Sequence, residues 1–178
     1  LAEVLAPAIA YARDGFPLVP RISQAILAVR ELFQREWRDS ADVWLVDGRV
    51  PSPGSLHATP ALARTYQRIV EEAQAAGATR EKQIDAALDC WYRGFVAREI
   101  DTYCRTQQVR DTTGERHRGL LRYEDMACWQ PEVEAPLTLD FGRYTVAKCG
   151  VWSQGPAFLQ QLGMLRHAGL EAHEPTSP

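Results

Sequence analysis

The chain has 178 residues, with 20 Lys and Arg residues against 23 Asp and Glu residues, and a formal net charge of −3 at pH 7. Its 46% hydrophobic and 24% charged residues are ordinary for a globular protein, which excludes a disordered chain, a collagen-like repeat and a coiled-coil rod. The near-neutral charge argues against nucleic-acid binding. Charges or prolines also interrupt every apolar run before the roughly 18 residues that a membrane span needs.

The cysteines indicate whether the chain contains disulfides, and the first residues indicate whether it is part of a longer protein. Four cysteines are too widely spaced for a C-x-x-C motif and too few for a disulfide scaffold, which predicts free thiols. The chain opens at Leu1 rather than at Met, and no basic-then-apolar signal segment is visible. We therefore expect a piece of something longer, and the compartment stays open.

Helical periodicity dominates the first part of the chain. Apolar residues recur at helical spacing over 1–14, and Gly15 follows as a stop signal. The two prolines of 16–20 predict a rigid connector. A second helix is expected over 21–40, and residues 43–58 read as a short extended run followed by turns.

Two further helices are predicted before residue 100. Thr59 and Pro60 suit a helix start, because threonine supplies a capping oxygen and proline at the first helical position loses no needed donor. Gly77 is the expected end of that helix. A new helix should start at Thr79, and Gly94 is expected to divide it.

The remainder is less regular. Residues 105–122 are polar and turn-rich, which predicts a mobile exposed loop; its arginines also suggest an anion site, but nearby acidic residues dilute their charge. A short helix is expected over 123–129. Alternation over 137–149 predicts the only credible hairpin. A last helix should follow Gly155 and close at Gly169.

The sequence thus predicts a mainly α chain with at most one short strand pair. Residues 1–170 form a helical segment, and residues 171–178 form a disordered tail. Burying each core side chain should contribute roughly 1.5 to 3 kcal/mol. The predicted core positions are Ile22, Ile26, Val29, Phe33, Leu62, Ile69, Leu88, Trp91, Leu159 and Leu162.

Candidate reactive residues lack the sequence neighbours that their chemistry needs. Ser153 stands in Val-Trp-Ser-Gln-Gly without the first glycine of a G-x-S-x-G nucleophile turn. Cys149 has Lys148 beside it, but no His or Asn is positioned by pattern to activate the thiol. The adjacent carboxylates at 71–72 and 124–125 are most simply parts of solvated helix faces.

No metal, phosphate or dinucleotide motif is present in the sequence. The histidines form no H-x-x-x-H or H-x-x-E pair that would place two ligands on one helical face. The glycines match neither phosphate cradle nor dinucleotide turn. We therefore assign no catalytic, substrate-binding, cofactor-binding or metal-binding residue and no cofactor. The histidines are His57, His117, His167 and His173.

Six stretches, taken in order, resemble the large subunit of the γ-glutamyltranspeptidase family. Each is a short helix or turn pattern, such as Leu-x-Pro-Ala-Ile ahead of Gly-Phe near the start and Leu-Leu-x-x-Glu-Asp-x-Ala further on. Their shared order across nearly the whole chain carries the resemblance. The stretches are residues 5–17, 47–48 with the proline turn, 59–69, 91–100, 119–127 and 141–146.

The resemblance implies a segment of an N-terminal-nucleophile hydrolase with an αββα parent fold. In that family a precursor cuts itself, and a Thr at the start of the small subunit attacks a γ-glutamyl amide with its own α-amine as the base. No Thr-Thr-His-like stretch occurs here, since Thr112 and Thr113 are followed by Gly114. The implied partners are the remaining large-subunit and small-subunit portions of the precursor.

Two departures indicate a divergent branch that acts on another acyl amide. The family's proline- and serine-rich turn is replaced by Cys149–Pro156, and Arg122 stands where a capping Thr is usual. We expect the segment to be scaffold, inactive alone, with an exposed apolar patch or a self-association contact. The alternatives are a stand-alone helical interaction module and a member that has lost activity.

Overall fold

A computed structural model describes residues 1–169, and these fall into two compact units, Leu1–Trp129 and the residues from Gln130 onward. The mainly helical class is confirmed. The predicted tail, residues 171–178, lies outside the described residues. Among residues 1–169, no helix combines the length and the hydrophobicity that crossing a membrane requires.

The first unit is a set of helices that pack mostly onto their neighbours in sequence. The helices are α1 (Ala2–Asp14), α2 (Pro20–Arg35), α3 (Arg38–Trp44), α4 (Pro60–Ala76), α5 (Arg80–Tyr92), α6 (Phe95–Thr106) and α7 (Tyr123–Cys128). α1 packs on α4, α4 on α5, α5 on α6 and α6 on α7, while α2 packs on α3. Small side chains allow close approach, since Ala73 and Ala97 are completely buried.

A short strand pair joins the end of α1 to the start of α4. β1 (Phe16–Pro17) pairs antiparallel with β2 (Leu56–His57). Gly15 permits the turn into β1, because its φ is 97° and a Cβ would lie 3.2 Å from the Cβ of Leu56. The Thr59 N–H donates to the Ala12 carbonyl at 2.7 Å, so the two helix ends are held directly together.

The region between α2 and β2 differs from the sequence expectation. The second helix was expected to end at residues 39–40, but the N–H groups of Glu36 and Trp37 both donate to the Leu32 carbonyl and end α2 earlier. The apolar run expected to be extended from residue 43 instead begins inside α3. Tertiary packing decides this, because Trp44 stacks on the imidazole of His57 and Leu45 is buried.

The polar stretch 105–122, expected to be a loop, contains a hairpin. β3 (Gln108–Arg110) pairs antiparallel with β4 (Arg116–Arg118) in the register Val109 to His117. The expectation of at most one strand pair is therefore corrected, since residues 1–169 contain three two-stranded sheets. Strands of two or three residues are too short to show an alternating pattern.

The second unit is a hairpin covered by one helix. β5 (Leu137–Phe141) pairs with β6 (Tyr144–Lys148), which confirms the predicted hairpin, and α8 (Gly155–Leu165) packs on both strands. Leu159 of α8 is buried, and the Lys148 ammonium lies 5.0 Å from the centre of the Phe158 ring. α8 ends four residues before the predicted stop at Gly169.

The predicted core is partly confirmed. Three of its ten positions are buried, three are half-buried and four are exposed. The four exposed positions lie on helices that were predicted, so the helical assignment is right and the predicted burial of these four positions is wrong. Ile26, Ile69 and Leu159 are buried, Ile22, Phe33 and Leu162 are half-buried, and Val29, Leu62, Leu88 and Trp91 are exposed.

Candidate functional site

Ser153 is held as a structural hydroxyl at the start of α8. Its Oγ lies 2.9 Å from the Gly150 carbonyl oxygen and 3.2 Å from the Cys149 carbonyl oxygen, to which it donates. The same Oγ accepts the Gly155 N–H at 2.9 Å. Since no imidazole or carboxylate of residues 1–169 bonds to it, nothing is placed to remove its proton, and this hydroxyl closes a turn.

The hairpin turn between β3 and β4 brings a threonine, an aspartate and a histidine together. The Thr113 hydroxyl donates to Asp111 Oδ1 at 2.6 Å, and His117 Nδ1 lies 2.7 Å from Asp111 Oδ2. In a nucleophilic triad the histidine stands between the hydroxyl and the carboxylate, whereas here the carboxylate stands between the other two. The cluster stabilises a turn, and its three groups are not arranged as proton transfer from a nucleophile requires.

The same contacts make Asp111 a poor base. The hydrogen bond from the Thr113 hydroxyl, then the contact with His117 and the Thr113 N–H, lower the pKa of Asp111 to about 2. A carboxylate with so low a pKa accepts a proton weakly at neutral pH. Thr112 and Thr113, the only adjacent threonines in the sequence, therefore have no activating group within the described residues.

The arginines of residues 105–122 are mostly paired, which weakens the anion-site interpretation. Arg116 lies 2.5 Å and Arg110 lies 3.8 Å from the half-buried Glu36 carboxylate. Arg105 bonds Asp101 at 2.8 Å, and Arg122 donates to the carbonyls of the chain just before it. Arg118 is the one arginine of this stretch whose side chain has no hydrogen-bonded or ion-paired partner among residues 1–169.

The adjacent carboxylates serve the helices that carry them. Glu71 accepts from Gln67, and Glu72 accepts from Arg68 at 2.7 Å, each one turn back along α4. Asp125 Oδ2 accepts the Arg122 N–H at 2.9 Å, which satisfies one orphan donor at the start of α7. The solvated-face interpretation of these carboxylates fits these contacts.

Cys90 is the buried thiol of the first unit. Its Sγ donates to Glu72 Oε2 at 3.1 Å, and the Arg68 guanidinium that holds Glu72 lies 3.9 Å from the centre of the Phe95 ring. Burial first, and then the hydrogen bond to Glu72, raise the pKa of Cys90 to about 11. A thiol with so high a pKa is almost entirely protonated at neutral pH, so Cys90 is not an activated nucleophile.

The histidines are dispersed. His57 is 4% exposed, stacks on Trp44 with ring centres 4.9 Å apart, and meets Phe16 edge-on; burial lowers the pKa of this imidazole. His167 lies just beyond α8, and His173 is outside the described residues. Residues 1–169 contain no group of three side chains that could hold a metal ion. Cys149 is exposed, and the neighbouring Lys148 ammonium faces a phenyl ring.

The sequence predicted an exposed apolar patch without its location, and the structure has an open apolar groove of about 350 Å³ between α1, α4 and α5. We call it the α5 groove. The signal was the apolar stripe along α5, which predicted core residues without showing what would cover them. The groove is lined mainly by Leu5 of α1, Tyr66 and Ile69 of α4, and Ile84, Leu88 and Trp91 of α5.

Comparison with known proteins supplies the wider context. The family model for gamma-glutamyltranspeptidase matches residues 1–178. The oxamate amidohydrolase proenzyme of Klebsiella pneumoniae is 28% identical over 165 residues, which is 92% of this chain and 26% of that protein. This chain therefore spans about a quarter of the length of that curated relative.

Solved structures show the same relation. A protein named LmbA2991 is 43% identical with a TM-score of 0.85, and the match covers all of this chain and 29% of that one. The gamma-glutamyltranspeptidase of Helicobacter pylori is 20% identical with a TM-score of 0.76, and the match covers 99% of this chain and 44% of that one. The second likeness concerns the fold alone.

Proposed function

The chain belongs to the γ-glutamyltranspeptidase family, and from that premise we propose that it is scaffold in an enzyme whose nucleophile lies elsewhere on a longer polypeptide. The family implies hydrolase or transferase activity for the complete protein, and the fold is a helical part of an N-terminal-nucleophile hydrolase. The finer points are our proposal: a self-processing precursor, a γ-glutamyl or related acyl amide as substrate, and a segment that is inactive alone.

The observation that supports the scaffold role is that each candidate nucleophile is engaged in a structural contact. The Ser153 hydroxyl closes a turn, the Thr113 hydroxyl donates to Asp111, and the Cys90 thiol is buried with a raised pKa. Each group lacks the adjacent base, or the lowered pKa, that activates a nucleophile. These contacts support an enzyme whose chemistry takes place outside the described residues.

The proposed reaction uses a Thr that self-cleavage leaves at the start of the small subunit. Its hydroxyl attacks the amide carbonyl while its own α-amine accepts the hydroxyl proton, and that proton passes to the leaving amine as the C–N bond breaks. Water or an amino-acid acceptor then attacks the ester and regenerates the Thr hydroxyl. Backbone N–H donors would stabilise the oxyanion. The partners of this segment are the other portions of the same precursor.

Two substrates mark the ends of the proposed class. A γ-glutamyl amide such as glutathione follows from the family. The relative named oxamate amidohydrolase favours a smaller acyl amide, and the departures at Arg122 and in the turn Cys149–Pro156 favour a divergent branch. We favour the divergent branch, because Arg122 departs from the family pattern within the stretch 119–127 and the turn Cys149–Pro156 departs from it just after the stretch 141–146.

A stand-alone helical interaction module is the second candidate function. The observation in its favour is the α5 groove, which is apolar and open. A module would bind its partner through this surface without catalysis, and self-association through the same surface is a related possibility for the test. The family match favours the enzyme over the module.

Expression of the complete polypeptide tests the enzyme. We expect two fragments on a denaturing gel, and N-terminal sequencing should find Thr at the start of the smaller one. The processed protein should then release glutamate or an amine from a γ-glutamyl amide, or ammonia from oxamate. Replacing that Thr by Ala is the control, and it should abolish turnover.

Three results would contradict the proposal. An uncut polypeptide without amidase activity favours the module or a member that has lost activity. A gene product that ends with this segment would exclude a nucleophile elsewhere. Turnover by residues 1–178 alone would overturn the scaffold role, since it would place the reacting group within the segment.

A further inference from the structure

The apolar stripe of α5 is only partly covered within the first unit. Ile84, Ala87, Leu88 and Trp91 follow the spacing i, i+3, i+4 and i+7, which places their side chains on one face of the helix. Ile84 is 37%, Leu88 46% and Trp91 37% exposed. A helix with this pattern normally buries the stripe fully, so the exposed part of these side chains is a surface that nothing in the described residues covers.

α5 is anchored to its neighbours through a different face. Cys90 is buried and bonded to Glu72 of α4, and the Gly94 backbone approaches the end of the helix. These contacts involve residues of α5 outside the stripe. The stripe therefore stays available at one edge of the α5 groove, with Leu5 of α1 and Tyr66 of α4 at the other.

The chemistry of the groove identifies its occupant. No charged side chain lines it, and the only side-chain polar groups in its lining are aromatic hydroxyls or the indole of Trp91. Small-molecule sites add a few convergent polar groups to an apolar lining, and charged peptides need opposite charges, so neither suits this surface. An apolar protein surface does.

We propose that the α5 groove is the docking face for an apolar element of the same polypeptide that lies outside residues 1–178. This inference rests on the proposed function, which places the segment within a longer chain. The matched relatives support it, because roughly three quarters of the length of those first matched lies outside the region that this chain covers. A docked element would cover Leu88 and Trp91 and so account for two predicted core positions that are exposed.

Site-specific photocrosslinking in the complete polypeptide tests the docking face. Leu88→p-benzoylphenylalanine places the probe in the groove, and Asp85→p-benzoylphenylalanine places it at an exposed polar position on the same helix as the control. Mass spectrometry maps each crosslink. An equal mixture of isotopically light and heavy protein separates crosslinks within one chain from crosslinks between copies. The same probe at Ile84 repeats the measurement if the Leu88 variant does not fold.

The expected result is a high-yield crosslink from position 88 to a segment of the same chain outside residues 1–178, with little or none from position 85. A crosslink that joins light to heavy protein would overturn the proposal in favour of a second copy. Absence of protein crosslinks from both 84 and 88 would overturn it in favour of an open surface.

The crosslink does not depend on catalysis, so the two proposals fail separately. An intramolecular crosslink in a polypeptide without amidase activity would refute the proposed function and keep the docking face. An active, self-cleaved enzyme without the crosslink would refute the docking face and keep the proposed function.

Discussion

Gly94, at the junction of α5 and α6, offers a sharp test of the packing described above. A Cβ at this position would lie 2.6 Å from the Cα of Cys90, 2.7 Å from the carbonyl oxygen of Cys90 and 2.9 Å from that of Asp89. All three contacts are with backbone atoms, which no side-chain rotation can move away. The Gly94→Ala substitution should therefore force the two helices apart.

The size of the effect follows from these distances. Ordinary contact begins near 3.4 Å, so the closest pair is about 0.8 Å too near. Inserting a methyl group into so tight a place costs about 1–3 kcal/mol. We expect amide hydrogens in α5 and α6 to exchange about 5 to 150 times faster in the variant, since local opening becomes easier by that free energy.

Hydrogen exchange followed by mass spectrometry on the complete polypeptide is the assay. The matched control is Gly163→Ala within α8, where a Cβ has no neighbour within 4 Å. Alanine is the better helix former, so this change should slow exchange in α8 by a factor that corresponds to about 0.5–1 kcal/mol. Unchanged exchange in α5 and α6 of the Gly94 variant would refute the close-approach argument.

Three further outcomes follow from individual contacts. Cys90 should resist iodoacetamide at pH 8 while the exposed cysteines react, and Glu72→Gln should speed its alkylation, since burial and the Glu72 hydrogen bond raise its pKa to about 11. Asp111, whose pKa lies near 2 rather than 3.8, should stabilise the hairpin fully above pH 3.8 and lose that effect as the pH falls through 2, as followed by NMR titration. Thr79→Ala should destabilise α5 by about 0.5–1 kcal/mol in hydrogen exchange, because the Thr79 hydroxyl accepts the Lys82 N–H at the helix start.

Each of these outcomes has a contrary result. Rapid alkylation of Cys90 in the unchanged protein would show that the thiol is neither buried nor bonded to Glu72. If the Asp111 carboxyl titrated near pH 3.8, the hydrogen bonds that Thr113 and His117 make with it in the turn would be contradicted. Exchange in α5 that is insensitive to Thr79→Ala would mean that its long hydrogen bond, at 3.4 Å, contributes nothing.

The sequence predicted those helix ends and turns that depend on residues close together in the chain. Gly15 ends α1, Gly94 divides α5 from α6, and the alternation over 137–149 predicted the β5–β6 hairpin. In each case the residues that specify the feature lie within or beside it. A turn or a helix end depends on backbone conformation over a few residues, which the sequence displays directly.

The elements that the sequence did not predict, α3 and the β3–β4 hairpin, depend on contacts between distant parts of the chain. α3 forms where Trp44 meets His57 across the intervening turn, and the β3–β4 hairpin is held by Arg116 on Glu36, 80 positions earlier. Trp37 adds a hydrogen bond to the Arg110 carbonyl at 2.9 Å. No local pattern announces such pairs.

The candidate site divides in the same way. The spacing of Ile84, Leu88 and Trp91 predicted an apolar face on one helix, and the structure places these residues together in the α5 groove. An apolar stripe indicates that one face of a helix packs against something. The pattern is the same whether the packing element belongs to this segment or to another. The assignment of Leu88 and Trp91 to the core of the segment itself was therefore wrong.

The β1–β2 pair has a consequence for how the first unit could be re-engineered. Phe16 and His57 are partners, so the chain leaves α1 and returns to α4 at a single point after an excursion of about 40 residues. The cost of closing such an excursion changes only slowly with its length, by about 0.6 kcal/mol per doubling. The stretch that carries α2 and α3 can therefore be lengthened or shortened in its loops at little entropic cost to the α1–α4 pair, provided that Glu36 and Trp37 keep their contacts with the β3–β4 hairpin.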